Sequence, residues 1–192
     1  MKENINIMIV GVGGQGSLLA SKLLGKIFLE NDYDVKVSEV HGMSQRGGSV
    51  LTYVRVGDKV YSPIIDKGEA DYVISFEMLE AARALEFLKP GGKIITNLQE
   101  INPMPVVAGK AEYPENLSEK IKAEGVDIDA FDALKLAEEA GSSKAVNLVL
   151  MGRLSKHFEF PEEEWMRVIE QSVPPKFPEM NKRAFALGRQ SD

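Results

Sequence analysis

Apolar residues in the first part of the chain recur first at strand-like and then at helix-like spacing. Residues 5–10 form an almost continuous apolar run, and the apolar positions of residues 15–30 follow helical periodicity. A second strand-like run at residues 33–40 follows a turn that contains Asp32 and Asp34. This order of strand, helix and strand predicts a βαβ unit at the start of the chain.

The next segment carries the signature of a β-hairpin. Residues 49–56 are rich in β-branched side chains, and Gly57-Asp58 separates them from a second such run at residues 59–62. A Gly-Asp pair between two strand-like runs is typical of a tight hairpin turn. We therefore expect an antiparallel excursion that interrupts an otherwise parallel pattern.

Alternation of strand and helix then resumes before the chain becomes mainly helical. The pattern predicts a buried strand at residues 71–76, a helix at residues 77–88 and, after the break at Pro90-Gly91-Gly92, a strand at residues 93–97. In the second half, four segments have helical spacing: residues 115–124, 130–140, 143–157 and 161–172.

The order of these elements predicts the fold class. Strands that helical crossovers connect become parallel and need both faces of the sheet covered. We expect an α/β fold, a three-layer α/β/α sandwich with a Rossmann-like, mostly parallel sheet, a β-hairpin excursion and a helical C-terminal half. The 192 residues, 44% of them hydrophobic, suit a single domain over residues 1–192. Ligands of such folds bind at the carboxyl edge of the sheet.

Composition and charge narrow the possible partners. The chain has 29 acidic and 23 basic residues, a formal net charge of -6 and no basic cluster, which argues against nucleic-acid binding. Its first residues lack the basic and apolar regions of a signal segment, and no apolar run approaches the roughly 20 residues that cross a bilayer. We expect a soluble, cytoplasmic protein without a membrane segment.

The chain contains no cysteine. Disulfides, thiolate catalysis and the thiolate ligands of an iron–sulfur cluster are therefore excluded for this chain. The two histidines, His41 and His157, are far apart in sequence and lack a repeated acidic spacing, so a zinc or di-iron site has little support. We expect this chain to bind neither a metal nor a cluster by itself.

A glycine-rich turn, Gly11-Val-Gly13-Gly14-Gln15-Gly16, lies between the first strand and the first helix. Its backbone N–H groups would point outward at the positive end of the helix dipole, so the turn is a predicted anion site with phosphate as the natural ligand. The alternative is a structural turn whose glycines only permit a tight reversal and close packing. The setting of strand, turn and helix favours the ligand-facing interpretation.

A second glycine-rich turn follows the second strand, at residues 41–48. Within it Arg46, flanked by two glycines, offers a planar fork of hydrogen-bond donors that suits a carboxylate or a phosphate. The alternative for Arg46 is a surface ion pair with Glu39 or Asp66. The residue type therefore predicts an anion clamp but leaves a purely structural role open.

Glu39 raises the possibility of a nicotinamide-dependent dehydrogenase. It closes the second strand about twenty residues after Gly16, where an acidic side chain can hold an adenosine ribose. The alternative is that Glu39 faces solvent, and no substrate domain with a general acid or base is evident. His41 can exchange a proton near neutral pH, but no carboxylate is paired with it in sequence, so a capping or hinge role is an equal alternative.

Six segments carry a family resemblance: residues 11–16, 38–49, 60–63, 68–71, 147–152 and 181–188. Together they resemble the gamma subunits and domains of 2-oxoacid:ferredoxin oxidoreductases, and within that family the beta subunit of indolepyruvate ferredoxin oxidoreductase. The resemblance covers nearly the whole chain. The form of the second turn, His-Gly-Met-Ser-Gln-Arg-Gly-Gly, points to the arylpyruvate branch.

The resemblance implies a reaction that this chain cannot perform alone. A 2-oxoacid such as indolepyruvate, coenzyme A and oxidised ferredoxin give an acyl-CoA, carbon dioxide and reduced ferredoxin. Thiamine diphosphate, its Mg²⁺ and the [4Fe-4S] clusters belong, by resemblance, to a larger alpha subunit. The chain lacks both a Gly-Asp-Gly metal motif and cysteine ligands, which agrees with an obligate partner.

The resemblance also implies where this chain acts. The two turns would line a cleft shared with the catalytic subunit and contact coenzyme A, with no catalytic residue on this chain. The alternative is a docking module, in which the glycines only shape a surface for the partner. The candidate residues are Gly11, Gly13, Gly14, Gln15, Gly16, His41, Gln45, Arg46, Gly47 and Gly48.

Overall fold

The computed structural model of the chain describes residues 2–41 and 48–191, and of His41 only the backbone. Six strands in this part of the chain form one sheet. Their bounds are β1 Ile5–Val12, β2 Asp34–His41, β3 Ser49–Gly57, β4 Ala70–Ser75, β5 Leu88–Asn97 and β6 Asp127–Phe131.

The strand order across the sheet is β2-β3-β1-β4-β5-β6. β3 runs antiparallel to both of its neighbours, β2 and β1, whereas the pairs β1–β4, β4–β5 and β5–β6 are parallel. Five strands therefore point in one direction and β3 in the other. The predicted α/β class with a mostly parallel sheet is confirmed.

Helices cover both faces of the sheet. The α-helices described are α1 Ser17–Glu30, α2 Met78–Arg83, α3 Met104–Val107, α4 Leu117–Ala123, α5 Ala133–Ala140, α6 Val146–Ser155, α7 Glu162–Ser172 and α8 Pro178–Gln190. Short 3₁₀ turns occupy Ala84–Phe87 and Ser143–Ala145. Burial of both faces explains why the central strands β1 and β4 are so apolar.

The central strand β1 shows how the three layers are built. Ile7 and Ile9 point to one face of the sheet, where they pack with α1 and α5 to α8. Met8 and Val10 point to the other face, where they pack with α2 and α4. All four side chains are buried, because successive residues of a strand face opposite sides. The predicted three-layer sandwich is confirmed.

The antiparallel excursion and its first strand, predicted at residues 49–56, are confirmed, but its predicted second strand and the hairpin are wrong. Residues 58–62 form no strand, and β3 pairs instead with β2, from Asp34 opposite Gly57 to His41 opposite Val50, and with β1. Both edges of β3 are thus occupied, which leaves no backbone groups for a hairpin through Gly57-Asp58. As a consequence, β1 and β2 of the predicted βαβ unit are parallel but separated by β3.

Sequence periodicity was wrong at two places in the second half. The predicted helix over residues 130–140 begins only at Ala133, because Asp127–Phe131 forms the edge strand β6. Two aspartates alternate with apolar residues in that short strand, so its apolar signal is weak. Helix α8 at Pro178–Gln190 was not predicted, since its buried face consists largely of Asn181, Ala184 and Gly188.

Helices α6 and α8 approach each other to backbone contact. A Cβ on Gly188 would lie 1.9 Å from the carbonyl oxygen of Val149, and a Cβ on Gly152 would lie 2.0 Å from the carbonyl oxygen of Phe185. The two glycines are therefore required by reciprocal helix packing. This contact holds α8 against the helix whose N-terminus lies beside the first glycine turn.

We expect Gly188→Ala to lower the free energy of unfolding by about 3 kcal/mol or more, because the added methyl group meets backbone that cannot move away by a rotamer change. Urea unfolding followed by circular dichroism measures the effect. Gly25→Ala in α1 is the matched control: its Cβ would have nearest neighbours at 3.8 Å, and alanine favours a helix by about 1 kcal/mol. Equal effects of the two substitutions would contradict the proposed packing.

Candidate functional site

The first glycine turn joins the end of β1 to the start of α1 at the carboxyl edge of the sheet. Gly14 and Gly16 adopt φ angles of 101° and 93°, in the region that favours glycine. Gly16 is the N-cap of α1, and neither a side-chain cap nor an acidic residue occupies the first turn of that helix. The helix therefore presents backbone donors and the positive end of its dipole at this edge.

The side chain of Gln15 fixes the shape of this turn. Its Oε1 accepts a hydrogen bond from Val12 N at 2.7 Å, and its Nε2 donates to Phe76 O at 3.3 Å. A Cβ on Gly11 would lie 2.8 Å from both Gln15 Oε1 and the Phe76 ring, so glycine is required beneath the amide. Gly11 and Gln15 thus build the turn, and Gln15 attaches it to the end of β4.

The two glycine turns meet at their backbones. Gly13 N donates a hydrogen bond of 2.8 Å to Gly48 O, the residue directly before β3. The structure therefore brings together Gly48 and the five candidate residues of the first turn. Gln45, Arg46, Gly47 and the side chain of His41 lie outside the described residues, so the roles predicted for them stay predictions.

Two clefts open on opposite sides of the first turn. One has a volume of about 490 Å³ and is lined by the turn together with Gln99, Ile101, Leu134, Ser143, Lys144 and Val146; we call it the Lys144 cleft. The other has a volume of about 410 Å³ and is lined by the turn together with Ser17, Leu18, Glu39 and Val50; we call it the Glu39 cleft. Gly14 and Gly16 border both.

The two clefts have opposite charge. Lys144 is the charged residue that lines its cleft, and Glu39 is the charged residue that lines the other, within the part of the chain that the structure describes. Oε2 of Glu39 accepts hydrogen bonds from Ser17 Oγ at 3.1 Å and from Thr52 Oγ1 at 3.2 Å. Local electrostatics therefore favour an anion in the Lys144 cleft and disfavour one in the Glu39 cleft.

Asn147, at the start of α6, contacts the first turn from the far end of the chain. Its Nδ2 donates to Gly16 O at 3.3 Å, and a Cβ on Gly16 would lie 2.7 Å from the same nitrogen. The side chain is 4% exposed. Asn147 therefore adds a second reason why only glycine fits at position 16.

A buried carboxylate holds the segment that forms one wall of the Lys144 cleft. Glu77 is 1% exposed; its Oε1 accepts hydrogen bonds from Ile101 N at 3.0 Å and from the Tyr113 hydroxyl, and its Oε2 accepts one from Glu80 N at 2.9 Å. The same hydroxyl accepts a hydrogen bond from Leu79 N at 3.0 Å. Residues 98–113 are thereby attached to the start of α2.

Burial, together with the hydrogen bond to Glu77, raises the pKa of Tyr113 well above its usual value. This pair was not predicted from the sequence, because no local signal marks it. Glu77 lies 24 residues from Ile101 and 36 residues from Tyr113. Only the fold brings them together.

Residues 2–41 and 48–191 contain neither a clustered metal site nor a helix suited to cross a membrane. No group of three His, Cys, Asp or Glu side chains there is arranged to hold a metal ion. None of the helices in the same residues combines the length and the apolar character that a membrane crossing requires.

Comparison with known proteins identifies a family. The family model of pyruvate ferredoxin/flavodoxin oxidoreductase matches residues 6–191. A curated relative, the indolepyruvate oxidoreductase subunit IorB of Thermococcus kodakarensis, is 50% identical over 193 aligned positions, which cover 98% of this chain and 95% of the relative.

Solved structures share the fold. The pyruvate oxidoreductase subunit PORC of Thermotoga maritima superposes with a TM-score of 0.72 at 23% identity, covering 98% of this chain and 97% of that one. A 2-oxoglutarate:ferredoxin oxidoreductase of Magnetococcus marinus, solved with 2-oxoglutarate, coenzyme A and succinyl-CoA bound, gives a TM-score of 0.67 at 19% identity. That match covers 98% of this chain and 31% of that one.

We expect Tyr113→Phe to lower the free energy of unfolding by about 1–2 kcal/mol at pH 8, because Glu77 and Leu79 N each lose a partner. A raised tyrosine pKa means that the folded state resists ionisation. Its contribution is complete below the ordinary pKa of about 10 and is lost as the pH rises above it. Urea unfolding should therefore show the gap between wild type and variant narrowing between about pH 10 and pH 11.5.

Tyr61→Phe is the control for this prediction, since Tyr61 is 88% exposed. It should leave stability unchanged at pH 8. If Tyr113→Phe has the stability of the wild type at pH 8, or if the difference in stability stays constant up to pH 11.5, the hydrogen bond between Tyr113 and Glu77 does not contribute as proposed.

Proposed function

The chain belongs to the pyruvate ferredoxin/flavodoxin oxidoreductase family, and from this premise we propose that it is the non-cluster subunit of an indolepyruvate-type enzyme. The 50% identity to an indolepyruvate oxidoreductase subunit along almost the full length of both chains supports the arylpyruvate branch. The complex would convert an arylpyruvate, coenzyme A and oxidised ferredoxin into an acyl-CoA, carbon dioxide and reduced ferredoxin.

The residues of this chain do not fit the redox cofactors of that reaction. The chain has no cysteine to ligate a [4Fe-4S] cluster. Within the described residues, no group of three or more His, Asp or Glu side chains is arranged to hold a metal ion. We therefore assign thiamine diphosphate, Mg²⁺ and the clusters to a larger alpha subunit. The partners in this proposal are that subunit and, through the complex, ferredoxin. We place the complex in the cytoplasm, with residues 1–192 acting as one gamma-type domain.

Coenzyme A does fit the donors of this chain. The observation that carries this assignment is the uncapped N-terminus of α1 with Gly14 and Gly16, which borders a cleft lined by Lys144. Backbone N–H groups at a helix N-terminus and an ammonium group both stabilise phosphate. Bound there, the nucleotide end of coenzyme A would be held by this chain while its thiol extends toward the reaction centre of the partner.

Arg46 extends this proposal to the second turn. The backbone contact of Gly13 with Gly48 joins the second turn to the phosphate-facing one. A guanidinium carried by this turn would supply the bidentate donor that the described residues of the two clefts lack. We retain Arg46 as the anion clamp, with Gln45 and His41 as further contacts on the same turn.

The dehydrogenase alternative has lost its main support. An acidic residue binds adenosine ribose when its strand is adjacent to the strand of the glycine turn. Here β3 lies between β2 and β1, and Glu39 already accepts hydrogen bonds from Ser17 and Thr52. A rise in melting temperature of the chain with NAD, but not with coenzyme A, would reinstate that alternative.

The docking alternative is favoured by one observation. Leu98, Met104 and Val107 lie on the segment beside the Lys144 cleft and are 46%, 70% and 66% exposed. Apolar side chains exposed close together often mark a protein interface. Ligand binding and docking are compatible, because a site completed by two subunits needs both.

The assembly proposal is tested by reconstitution. The purified chain should show no reduction of ferredoxin with indolepyruvate and coenzyme A, because it has no route for electrons. Co-expression with the cluster-containing subunit should give a complex that co-purifies and restores the activity, measured as reduction of ferredoxin or a viologen dye. Turnover by the isolated chain would contradict the assignment, and so would full activity of the large subunit alone.

We expect Arg46→Ala to raise the KM for coenzyme A by about tenfold or more in the assembled complex, because a charge-assisted hydrogen bond to phosphate is lost. The KM for the 2-oxoacid should change little. Arg183→Ala, at an exposed position of α8, is the matched control for loss of a positive charge. An unchanged KM for coenzyme A would exclude Arg46 as the clamp.

A further inference from the structure

Asn97 is a buried amide at the end of β5, and its orientation is determined by backbone groups. Its Oδ1 accepts a hydrogen bond from Ala133 N at 3.1 Å, and its Nδ2 donates to Phe76 O at 3.3 Å. A backbone N–H can only donate and a carbonyl can only accept, so the two ends of the Asn97 amide cannot be exchanged. The side chain is fully buried.

This orientation determines that of Gln99 in turn. The second N–H of Asn97 Nδ2 faces Gln99 Oε1 at 3.4 Å. If the Gln99 amide turned over, its NH₂ group would face the NH₂ group of Asn97, two donors without an acceptor. Gln99 lines the Lys144 cleft, and no group among the described residues accepts a hydrogen bond from its Nε2. The NH₂ group of Gln99 is therefore left for the cleft.

Gln15 is oriented by the same rule. Val12 N can only donate to Oε1, and Phe76 O can only accept from Nε2. One N–H of Gln15 Nε2 then remains without a partner among the described residues, and Gln15 also lines the Lys144 cleft. Phe76 O accepts from both Asn97 and Gln15, so both of its lone pairs are used. This carbonyl therefore orients Gln15 directly and Gln99 through Asn97.

We propose that the amide NH₂ groups of Gln99 and Gln15 bind a phosphoryl oxygen of the ligand in the Lys144 cleft. Gln99 thereby determines specificity for a ligand group that accepts hydrogen bonds, and Asn97 is the residue that positions it. The identification of the phosphate source as coenzyme A rests on the proposed function. The donor chemistry itself applies to any phosphate ester or diphosphate.

The test measures binding of coenzyme A and of inorganic diphosphate to the full chain and to the reconstituted complex by titration calorimetry. Gln99→Glu keeps the size of the side chain but replaces the donor by a charged acceptor, and it should weaken both ligands about 30-fold or more. Gln99→Met removes the amide, and with it both the donor and the Oε1 that faces Asn97, without adding a charge; it should weaken them about 5- to 10-fold. Gln190→Glu, at an exposed site on α8, controls for the added charge and should stay within about twofold.

The positioning role of Asn97 is tested separately, by NMR spectroscopy. In the ¹⁵N-labelled chain, diphosphate should shift the side-chain amide resonances of Gln99. Asn97→Asp replaces the donor that faces Gln99 Oε1 by an acceptor, so the Gln99 amide should turn over and its response to diphosphate should disappear. Because Asn97→Asp also removes the donor to Phe76 O, it should lower the free energy of unfolding, but the backbone spectrum should keep the dispersion of a folded chain. A Gln99 response that persists in this variant would overturn the positioning role.

The outcomes separate this inference from the proposed function. Binding of coenzyme A that is unchanged in both Gln99 variants would overturn the inference and leave coenzyme A assigned to this chain. Binding of diphosphate that depends on Gln99, without binding of coenzyme A, would support the inference and contradict that assignment. If neither probe binds the wild-type chain or complex, both fail.

Discussion

The carbonyl of Phe76 is the interaction on which the site depends. It lies directly after β4 and accepts hydrogen bonds from the side-chain amides of Gln15, after β1, and Asn97, at the end of β5. Three neighbouring parallel strands are thereby joined at their carboxyl ends by one buried acceptor. A buried carbonyl without partners would destabilise the fold. The two hydrogen bonds that satisfy this carbonyl also hold the glycine turn and the end of β5 in place at the edge of the sheet.

The position of the antiparallel strand β3 explains why the clefts on the two sides of the first glycine turn differ in charge. Since β3 lies between β1 and β2, the second glycine-rich turn is placed beside the first turn, and Glu39 is placed one strand further from β1 than in a dinucleotide-binding fold. The first turn then has an acidic cleft on one side and a cleft lined by Lys144 on the other. Strand order, more than the glycine pattern itself, separates this site from that of a dehydrogenase.

The anion binding proposed for this chain would be a local property and would not depend on its net charge. With a formal charge of -6, the chain as a whole repels anions at long range, and salt screens that repulsion beyond about 10 Å. Backbone and amide donors at short range act in a partly desolvated cleft, where each hydrogen bond to a charged oxygen is stronger than in water. Such donors need no reorganisation, because Asn97, Gln15 and the glycine turn are held by buried backbone groups.

The sequence by itself determined the α/β class, the glycine turn between β1 and α1, the absence of cluster ligands and the family resemblance. These depend on residue types and on spacings of a few positions, which local periodicity and turn chemistry reveal. Only the tertiary structure decided that β3 pairs with β2 and β1, that residues 127–131 form an edge strand, and that Glu77 holds Tyr113 and Ile101. The contacts of Phe76 with Gln15 and of Gly16 with Asn147 span 61 and 131 residues. The reason is physical: pairing of strand edges and satisfaction of buried polar groups are settled by which segments become neighbours, and no local pattern encodes that choice.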